Sequence, residues 1–189
     1  MHPLNTAELQ IIVLAAGARS APSDGAALQQ MLSRATAVSG HAVTAVLGDK
    51  AAEVAPALGR LPVSLVVNRD WNEGIAGYIR AGLHSLPGSC AAAMVLLGHQ
   101  LAVTSADLQR LCDLWRRSPR AIVAAQYGGG YGTPAIFPRA EFPSLLRLRG
   151  DQGAEALLRG PMAEVIGVPM PGAMPDAPSS AGSSPPIGS

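Results

Sequence analysis

Short apolar runs alternate along this chain with segments of helical period, and this alternation constrains the fold more than any other feature. Five runs are apolar on both faces: 10–16, 42–47, 63–68, 93–97 and 121–126. Strands have this character when helices cover both faces of a parallel sheet. The order of elements therefore predicts right-handed βαβ crossovers and an α/β fold, a three-layer sandwich with a mostly parallel sheet.

The helices are predicted from the spacing of apolar residues and from capping residues. We expect helices at 75–86, 105–117 and 152–159. Thr104 stands three residues before Asp107, the spacing of a capping box at the start of the second helix. Asp151 is in position to cap the third.

Length and charge limit the class of protein. A chain of 189 residues with 48% hydrophobic residues suits one domain, at 1–168. From 169 to 189 the sequence is rich in Pro, Gly and Ser, which predicts a flexible tail. The formal net charge of +1 predicts no nucleic-acid partner and no anionic membrane surface.

Location and cysteine chemistry follow from what the sequence lacks. There is no apolar run of membrane-spanning length and no signal-peptide pattern at the N-terminus, so we expect a cytoplasmic protein. Cys90 and Cys112 have neither CxxC spacing nor a histidine cluster beside them. We expect both to be buried, free thiols.

The ends of the predicted strands indicate where a ligand would bind. Four of the strands end at Gly17, Gly48, Asn68 and Gly98. In a sheet of this kind the carboxyl ends of the strands line the ligand crevice. His99, directly after the strand at 93–97, is therefore expected to face that crevice.

Two loops after strands suit a nucleotide, although each has a simpler explanation. The stretch at 14–25 is rich in small residues and precedes a helix expected near Ala26, so its backbone N–H groups would approach a phosphate closely. An ordinary flexible βα loop explains it equally well. Glu73 stands at a helix entry, which also suits a nucleotide site. The competing explanation is that Glu73 complements the helix dipole and Trp71 fills a gap in the packing.

Two later stretches are glycine-rich. Residues 127–137 predict a hairpin, a mobile flap over the crevice or a surface turn. Residues 148–158 place a Gly, an Asp and a second Gly at a helix entry. That arrangement suits an anion contact, although helix capping alone would explain the Asp.

Five stretches taken together resemble the MobA-like nucleotidyltransferase family, most closely its molybdenum cofactor cytidylyltransferase branch. They are LAAG (14–17), VVNRDWNEGIAGYIRAGL (66–83), VLLGHQLAVTSADL (95–108), GTPAIF (132–137) and LRGDQGA (148–154). The family's own patterns are N-P-x-W-x-E-G-M-x-x-S-L-x-x-G-L for the second, V-L-x-x-D-Q-P-x-V for the third, G-x-P-x-x-F and L-x-G-D-x-G-A. Each is weak alone, but five in register from residue 11 to about 160 are specific.

The resemblance implies a Rossmann-like nucleotidyltransferase fold that binds CTP and Mg²⁺. The terminal phosphate of a pterin cofactor attacks the α-phosphorus of the triphosphate, and pyrophosphate leaves. The implied nucleotide-binding residues are Leu14, Ala15, Ala16, Gly17, Asn68, Glu73 and Gly74. The implied acceptor-binding residues are Gly132, Pro134, Gly150, Asp151 and Gly153.

The chain departs from the family where charge matters most. The family's first loop carries an Arg and a Lys that hold the triphosphate, and here Arg19 is the one cation left in that loop, our candidate catalytic residue. His99 replaces the metal-binding Asp of D-Q-P, and Asp176 alone remains as a candidate for the second metal carboxylate. Mg²⁺ prefers carboxylate and water oxygens, so imidazole is a poor substitute.

Three hypotheses follow. The first is a nucleotidyltransferase of molybdenum cofactor maturation that transfers CMP from CTP. The second is a catalytically impaired relative that binds a nucleotide, the pterin cofactor or a partner such as a molybdoenzyme. The third, a sugar- or alditol-type nucleotidyltransferase, is less favoured by EGIAG and GDQGA. The loss of charge at several positions together favours altered or lost catalysis.

Overall fold

The computed structural model describes residues 9–16, 25–39, 43–160 and 164–170. Within them seven strands form one sheet in the order β3-β2-β1-β4-β6-β5-β7. The strands are β1 (Leu9–Leu14), β2 (Val43–Leu47), β3 (Ser64–Val67), β4 (Ala92–Leu97), β5 (Ile122–Tyr127), β6 (Gly130–Pro138) and β7 (Val165–Pro169). The predicted α/β architecture is confirmed.

The sheet is mostly parallel. The pairs β1–β2, β1–β4, β2–β3 and β5–β7 are parallel, whereas β6 runs antiparallel to both β4 and β5. Strands β5 and β6 are joined by a short turn, so of the interpretations offered for 127–137 the hairpin is correct. The carboxyl ends of β1, β2, β3 and β4 consequently lie at one edge of the sheet.

Helices cover both faces. They are α1 (Gly25–Ser39), α2 (Ala51–Leu58), α3 (Ile75–His84), α4 (Ser105–Arg117), α5 (Phe142–Leu146) and α6 (Glu155–Leu158). One core cluster joins α1, α2 and α4 to one face of the sheet, and the other joins α3, α5 and α6 to the opposite face. Along β1, Ile11 and Val13 belong to the first cluster, and Ile12 and Leu14 to the second. This alternation makes the three layers.

The capping box at the start of α4 forms as predicted. The Thr104 side chain accepts a hydrogen bond from the Asp107 N–H, and the Asp107 carboxylate accepts one from the Thr104 N–H at 2.9 Å. The carboxylate also accepts a hydrogen bond from Arg110 at 2.5 Å. Burial alone would raise the pKa of Asp107, but the bonds from Thr104 and Arg110 outweigh it, so the pKa lies below its usual value.

Three details differ from expectation. Helix α6 begins at Glu155 with Ala154 as its N-cap, so Asp151 does not cap it. Trp71 is exposed and fills no gap in the core. Strand β7 runs through Pro169 and Met170 is buried, so the first two residues of the predicted tail belong to the ordered domain. The rest of that tail, 171–189, lies outside the described residues.

Both cysteines are buried and free, as expected. Burial raises the pKa of Cys112 to about 11 and also raises the pKa of Cys90. Such thiols are unreactive at neutral pH. In the described part of the chain, no helix is long and apolar enough to cross a membrane.

Candidate functional site

Backbone hydrogen bonds hold the carboxyl ends of β1, β2 and β4 together at one edge of the sheet. The Ala15 N–H donates to the Val46 carbonyl oxygen at 2.9 Å, and the Gly98 N–H donates to the Leu14 carbonyl oxygen at 2.9 Å. Leu14 is buried in the core, while Ala15 and Ala16 are half-exposed at the start of the first loop. The backbone of these small residues therefore borders the crevice, where the sequence places a nucleotide.

Asn68 anchors the next turn at this edge. Its N–H donates to the Leu47 carbonyl oxygen at 2.8 Å, and its Oδ1 accepts the Asp70 N–H at 3.1 Å. The side chain is 4% exposed, and its Nδ2 has no hydrogen-bond partner among the described residues. Asn68 thus fixes the turn that follows β3, while its side-chain NH2 group has no partner among the described residues.

Glu73 forms an ion pair with Arg80 of α3. Arg80 also donates through Nη1 to the Leu148 carbonyl oxygen at 2.8 Å. Through Arg80, the ion pair connects the turn before α3 to the loop at 148–153. Leu148 lies 68 positions after Arg80 in the sequence. The Glu73 carboxylate is therefore already paired with the Arg80 guanidinium.

Gly74 is the point where this loop meets α3. Its φ of 98° lies in the region that favours glycine, and a Cβ there would lie 2.5 Å from Asp151 Oδ1 and 2.6 Å from the Gly150 carbonyl oxygen. The Ala76 N–H donates to the same carbonyl oxygen at 3.0 Å. The predicted nucleotide-binding residues Glu73 and Gly74 and the acceptor-binding residues Gly150 and Asp151 are thus brought together.

The side chain of His99 is exposed where the chain leaves β4. The next residue, Gln100, connects this turn to β6: its Oε1 accepts the Leu97 N–H at 3.1 Å, and its Nε2 donates to the Thr133 carbonyl oxygen at 3.0 Å. The Tyr127 hydroxyl donates to the same oxygen at 2.8 Å. The histidine stands on a turn that its neighbour fixes in place.

The remaining acceptor candidates occupy two places. Gly132 and Pro134 are buried on β6, on either side of Thr133, and the Thr133–Pro134 peptide bond is cis. Gly153 is buried between the loop and α6, beside the Glu155 carboxylate. Gln100 links the first pair to the His99 turn, and α6 packs against β6.

The fold and these motifs agree with the family comparison. A family model described as the MobA-like NTP transferase domain matches residues 21–165, more than half of the chain. This chain belongs to that family. The match begins after LAAG, so β1 lies outside the matched segment. No curated protein matches the chain significantly by sequence.

Solved structures of similar proteins share the family's fold. Rv0371c from Mycobacterium tuberculosis H37Rv is 26% identical with a TM-score of 0.73 over 89% of this chain and 91% of that one. A second structure of that protein, in complex with manganese, has a TM-score of 0.70 at 26% identity, covering 89% of this chain and 90% of that one.

Two further neighbours show the fold alone. A nucleotidyl transferase from Methanothermobacter is 20% identical with a TM-score of 0.67, covering 87% of this chain and 88% of that one. A 4-diphosphocytidyl-2C-methyl-D-erythritol synthase from Anaerococcus prevotii is 12% identical with a TM-score of 0.65, covering 88% and 90%. The Rossmann-like nucleotidyltransferase fold is confirmed.

At the end of β4 the described residues offer an imidazole where the resemblance expects the family's metal-binding carboxylate. No group of three His, Cys, Asp or Glu side chains among them could hold a metal ion. Glu73 is paired with Arg80, and Asp107 is held in the capping box of α4. His99 stands at the expected strand end, but it brings a nitrogen ligand where a hard cation prefers oxygen ligands. Gly17, Arg19 and Asp176 lie outside the described residues.

Sequence reasoning missed several residues that shape this edge. Arg34 of α1 donates through Nη1 to the Leu101 and Val103 carbonyl oxygens at 2.7 and 2.8 Å, and so holds the loop after His99. Gln100 lies within the motif at 95–108, but nothing in the sequence indicates its contact with Thr133. Arg34 gave no signal at all, because its partners are 67 and 69 positions away.

Proposed function

We propose that this member of the MobA-like NTP transferase family binds a nucleoside triphosphate at the carboxyl edge of β1 to β4, with impaired metal-dependent transfer. The resemblance of LAAG to the cytidylyl-transferring branch favours CTP. The same resemblance favours a role in molybdenum cofactor maturation, with a pterin-type cofactor phosphate as acceptor and a molybdoenzyme as partner. The cellular location in this proposal is the cytoplasm.

The observation that carries the proposal is the chemistry at the end of β4. An exposed histidine stands where the family's metal-binding carboxylate belongs, and the described residues contribute no three-ligand group. Nucleotidyl transfer depends on neutralising charge that develops on the phosphates, which is usually the largest catalytic contribution. Losing a metal carboxylate should therefore lower the rate far more than it lowers nucleotide affinity.

Binding is supported by the parts of the edge that remain intact. Ala15 and Ala16 are small, half-exposed residues at the end of β1, and Asn68 is buried with an Nδ2 that has no partner among the described residues. The close contact of Gly74 with Gly150 and Asp151 keeps the acceptor loop against the start of α3. These strand ends are the positions that the family resemblance assigns to a nucleotide, which supports binding.

A working transferase is the second candidate, and one observation favours it. Rv0371c, at 26% identity, has been solved in complex with manganese, so a divalent metal is compatible with this fold. In that case Arg19 and Asp176 would supply the catalytic cation and a metal carboxylate. The two candidates predict different rates of nucleotidyl transfer, so measuring that rate separates them.

The test measures pyrophosphate released from CTP and Mg²⁺ in the presence of a pterin cofactor acceptor. We expect the wild-type protein to be slow. His99→Asp combined with Ala26→Lys should be at least about 10-fold faster, because Ala26 holds the position of the family's triphosphate lysine when the first loop is aligned without gaps. His84→Asp is the matched control, because His84 is an exposed histidine at the end of α3. A wild-type rate equal to that of the double variant would refute impaired catalysis and leave the second candidate.

A further inference from the structure

Strand β3 forms one edge of the sheet and has no neighbour on its outer side in the described structure. The Asn68 N–H points inward, to the Leu47 carbonyl oxygen at 2.8 Å. Backbone groups alternate in direction along a strand, so the N–H and C=O groups of Leu65 and Val67 point away from the sheet. No hydrogen bond to a described residue uses these outward groups.

The side chains along this strand are apolar as well as exposed. Val67 is 55% exposed and Leu65 is 38% exposed. Their Cα partners on β2 are Leu47 and Ala45, so both side chains lie on the face that α1, α2 and α4 cover. We call Leu65 and Val67 the β3 edge. Sheet edges are commonly protected by charge, by proline or by a covering element, and Leu65 and Val67 supply neither charge nor proline.

We propose that the β3 edge binds a second copy of this chain, antiparallel, about a two-fold axis that passes through Leu65 perpendicular to the sheet. Leu65 then lies opposite Leu65 of the second copy, and Val67 lies opposite Val63. The outward groups of Leu65 pair with each other across the axis, and the Val67 N–H donates to the Val63 carbonyl oxygen of the second copy. The two sheets become continuous, in a closed isologous dimer.

Charge complementarity supports a second copy in this register. Arg60 lies five residues before Leu65 and Asp70 lies five residues after it, and both side chains are exposed. Neither has an ion-pair partner among the described residues. Pairing through Leu65 brings the turn at 59–62, which holds Arg60, toward the turn at 69–70 of the other copy, which holds Asp70, twice by symmetry.

The chain's own C-terminal stretch is a poorer occupant than a second copy. Residues 171–189 contain five prolines, with Met174 and Ile187 as the large apolar residues. Proline lacks the N–H that an added strand must donate. The segment also carries one charged residue, Asp176, so it offers Asp70 no cation.

The decisive experiment is sedimentation equilibrium of the full chain over a range of concentrations. We expect a reversible monomer–dimer equilibrium, and Val67→Lys or Leu65→Lys should raise the dimer dissociation constant at least ~10-fold. Leu101→Lys is the matched control, because Leu101 is a large hydrophobic residue of similar exposure, 43%, outside the β3 edge. A chain that stays monomeric throughout, or a dimer that Val67→Lys leaves unchanged, would overturn the proposal.

A charge exchange tests the register. Arg60→Asp and Asp70→Arg should each weaken the dimer roughly 5-fold, and the double exchange should restore it, because each pair then re-forms with reversed sign. A double variant weaker than either single variant would contradict the pairing through Leu65. Thermal unfolding of each variant checks that the fold is retained. We expect it to be, since Arg60, Leu65, Val67 and Asp70 are all exposed.

Discussion

At the scale of single residues, Gly48 shows how closely α3 packs against the end of β2. It follows β2, and a Cβ at this position would overlap the hydroxyl of Tyr78 from α3. Tyr78 is buried, and burial together with the nearby Asp49 carboxylate raises the pKa of its phenol. Glycine is needed here because an aromatic ring rests on the backbone.

This contact predicts a coupled effect on stability. Gly48→Ala should lower the free energy of unfolding by about 1–3 kcal/mol, because the buried ring must shift to admit a methyl group. In a Tyr78→Ala background the same change should cost less than about 0.5 kcal/mol, since the overlapping atoms are gone. Urea unfolding of the four proteins gives the coupling energy. Equal costs in both backgrounds would show that the ring does not confine Gly48.

The sequence identified some residues of the edge and missed others for a physical reason. Gly74 and Asp151 were found because each stands in a short motif, although their mutual contact was not predicted. Gln100 and Thr133 are 33 positions apart, and Arg34 is 67 positions from Leu101. Such pairs depend on the order of strands in the sheet, which residue spacing does not reveal.

At the scale of elements, the segments that follow local rules were predicted well. Helix α4 begins and ends where its periodicity and capping box place it, because both signals lie within a few residues. Helix α6 is shorter than the pattern at 152–159 indicated. Asp151 lies beside Gly74 instead, and Ala154 is the N-cap of α6.

The capping box gives a prediction with a defined pH dependence. Thr104→Ala should lower the free energy of unfolding by about 1 kcal/mol at neutral pH, since the Asp107 N–H loses its acceptor. The pKa of Asp107 is lowered in the folded state, so its contribution is present above the unfolded value of 3.8 and is lost as the pH falls through the folded pKa. The difference between wild type and variant should therefore shrink below pH 3.8.

The measurement is urea unfolding across this pH range. Thr36→Ala is the control, because the Thr36 hydroxyl donates to the Ser33 carbonyl oxygen in the interior of α1, away from its N-terminus. Thr36→Ala should lower the free energy of unfolding less than Thr104→Ala does, and by an amount that does not change with pH. A Thr104→Ala effect that stays constant down through the acid range would mean that Asp107 does not depend on Thr104.

At the scale of the whole molecule, the order of strands explains why distant motifs converge. Strands β1 to β4 end at one edge, and the antiparallel β6 brings Thr133 beside β4. Alternating strands and helices predicted a mostly parallel sheet but not its order or the antiparallel strand. The exposed β3 edge also belongs to this scale, because it becomes visible only when the sheet is assembled.

The central claim is that the carboxyl ends of β1 to β4 still bind a nucleoside triphosphate, while the use of a divalent metal there has been weakened. Isothermal titration of the full chain with CTP, in Mg²⁺ and again in EDTA, tests it most directly. We predict dissociation constants that agree within about 3-fold, since an exposed His99 adds no metal-binding charge. Submicromolar binding that weakens more than about 10-fold without Mg²⁺ would contradict the claim.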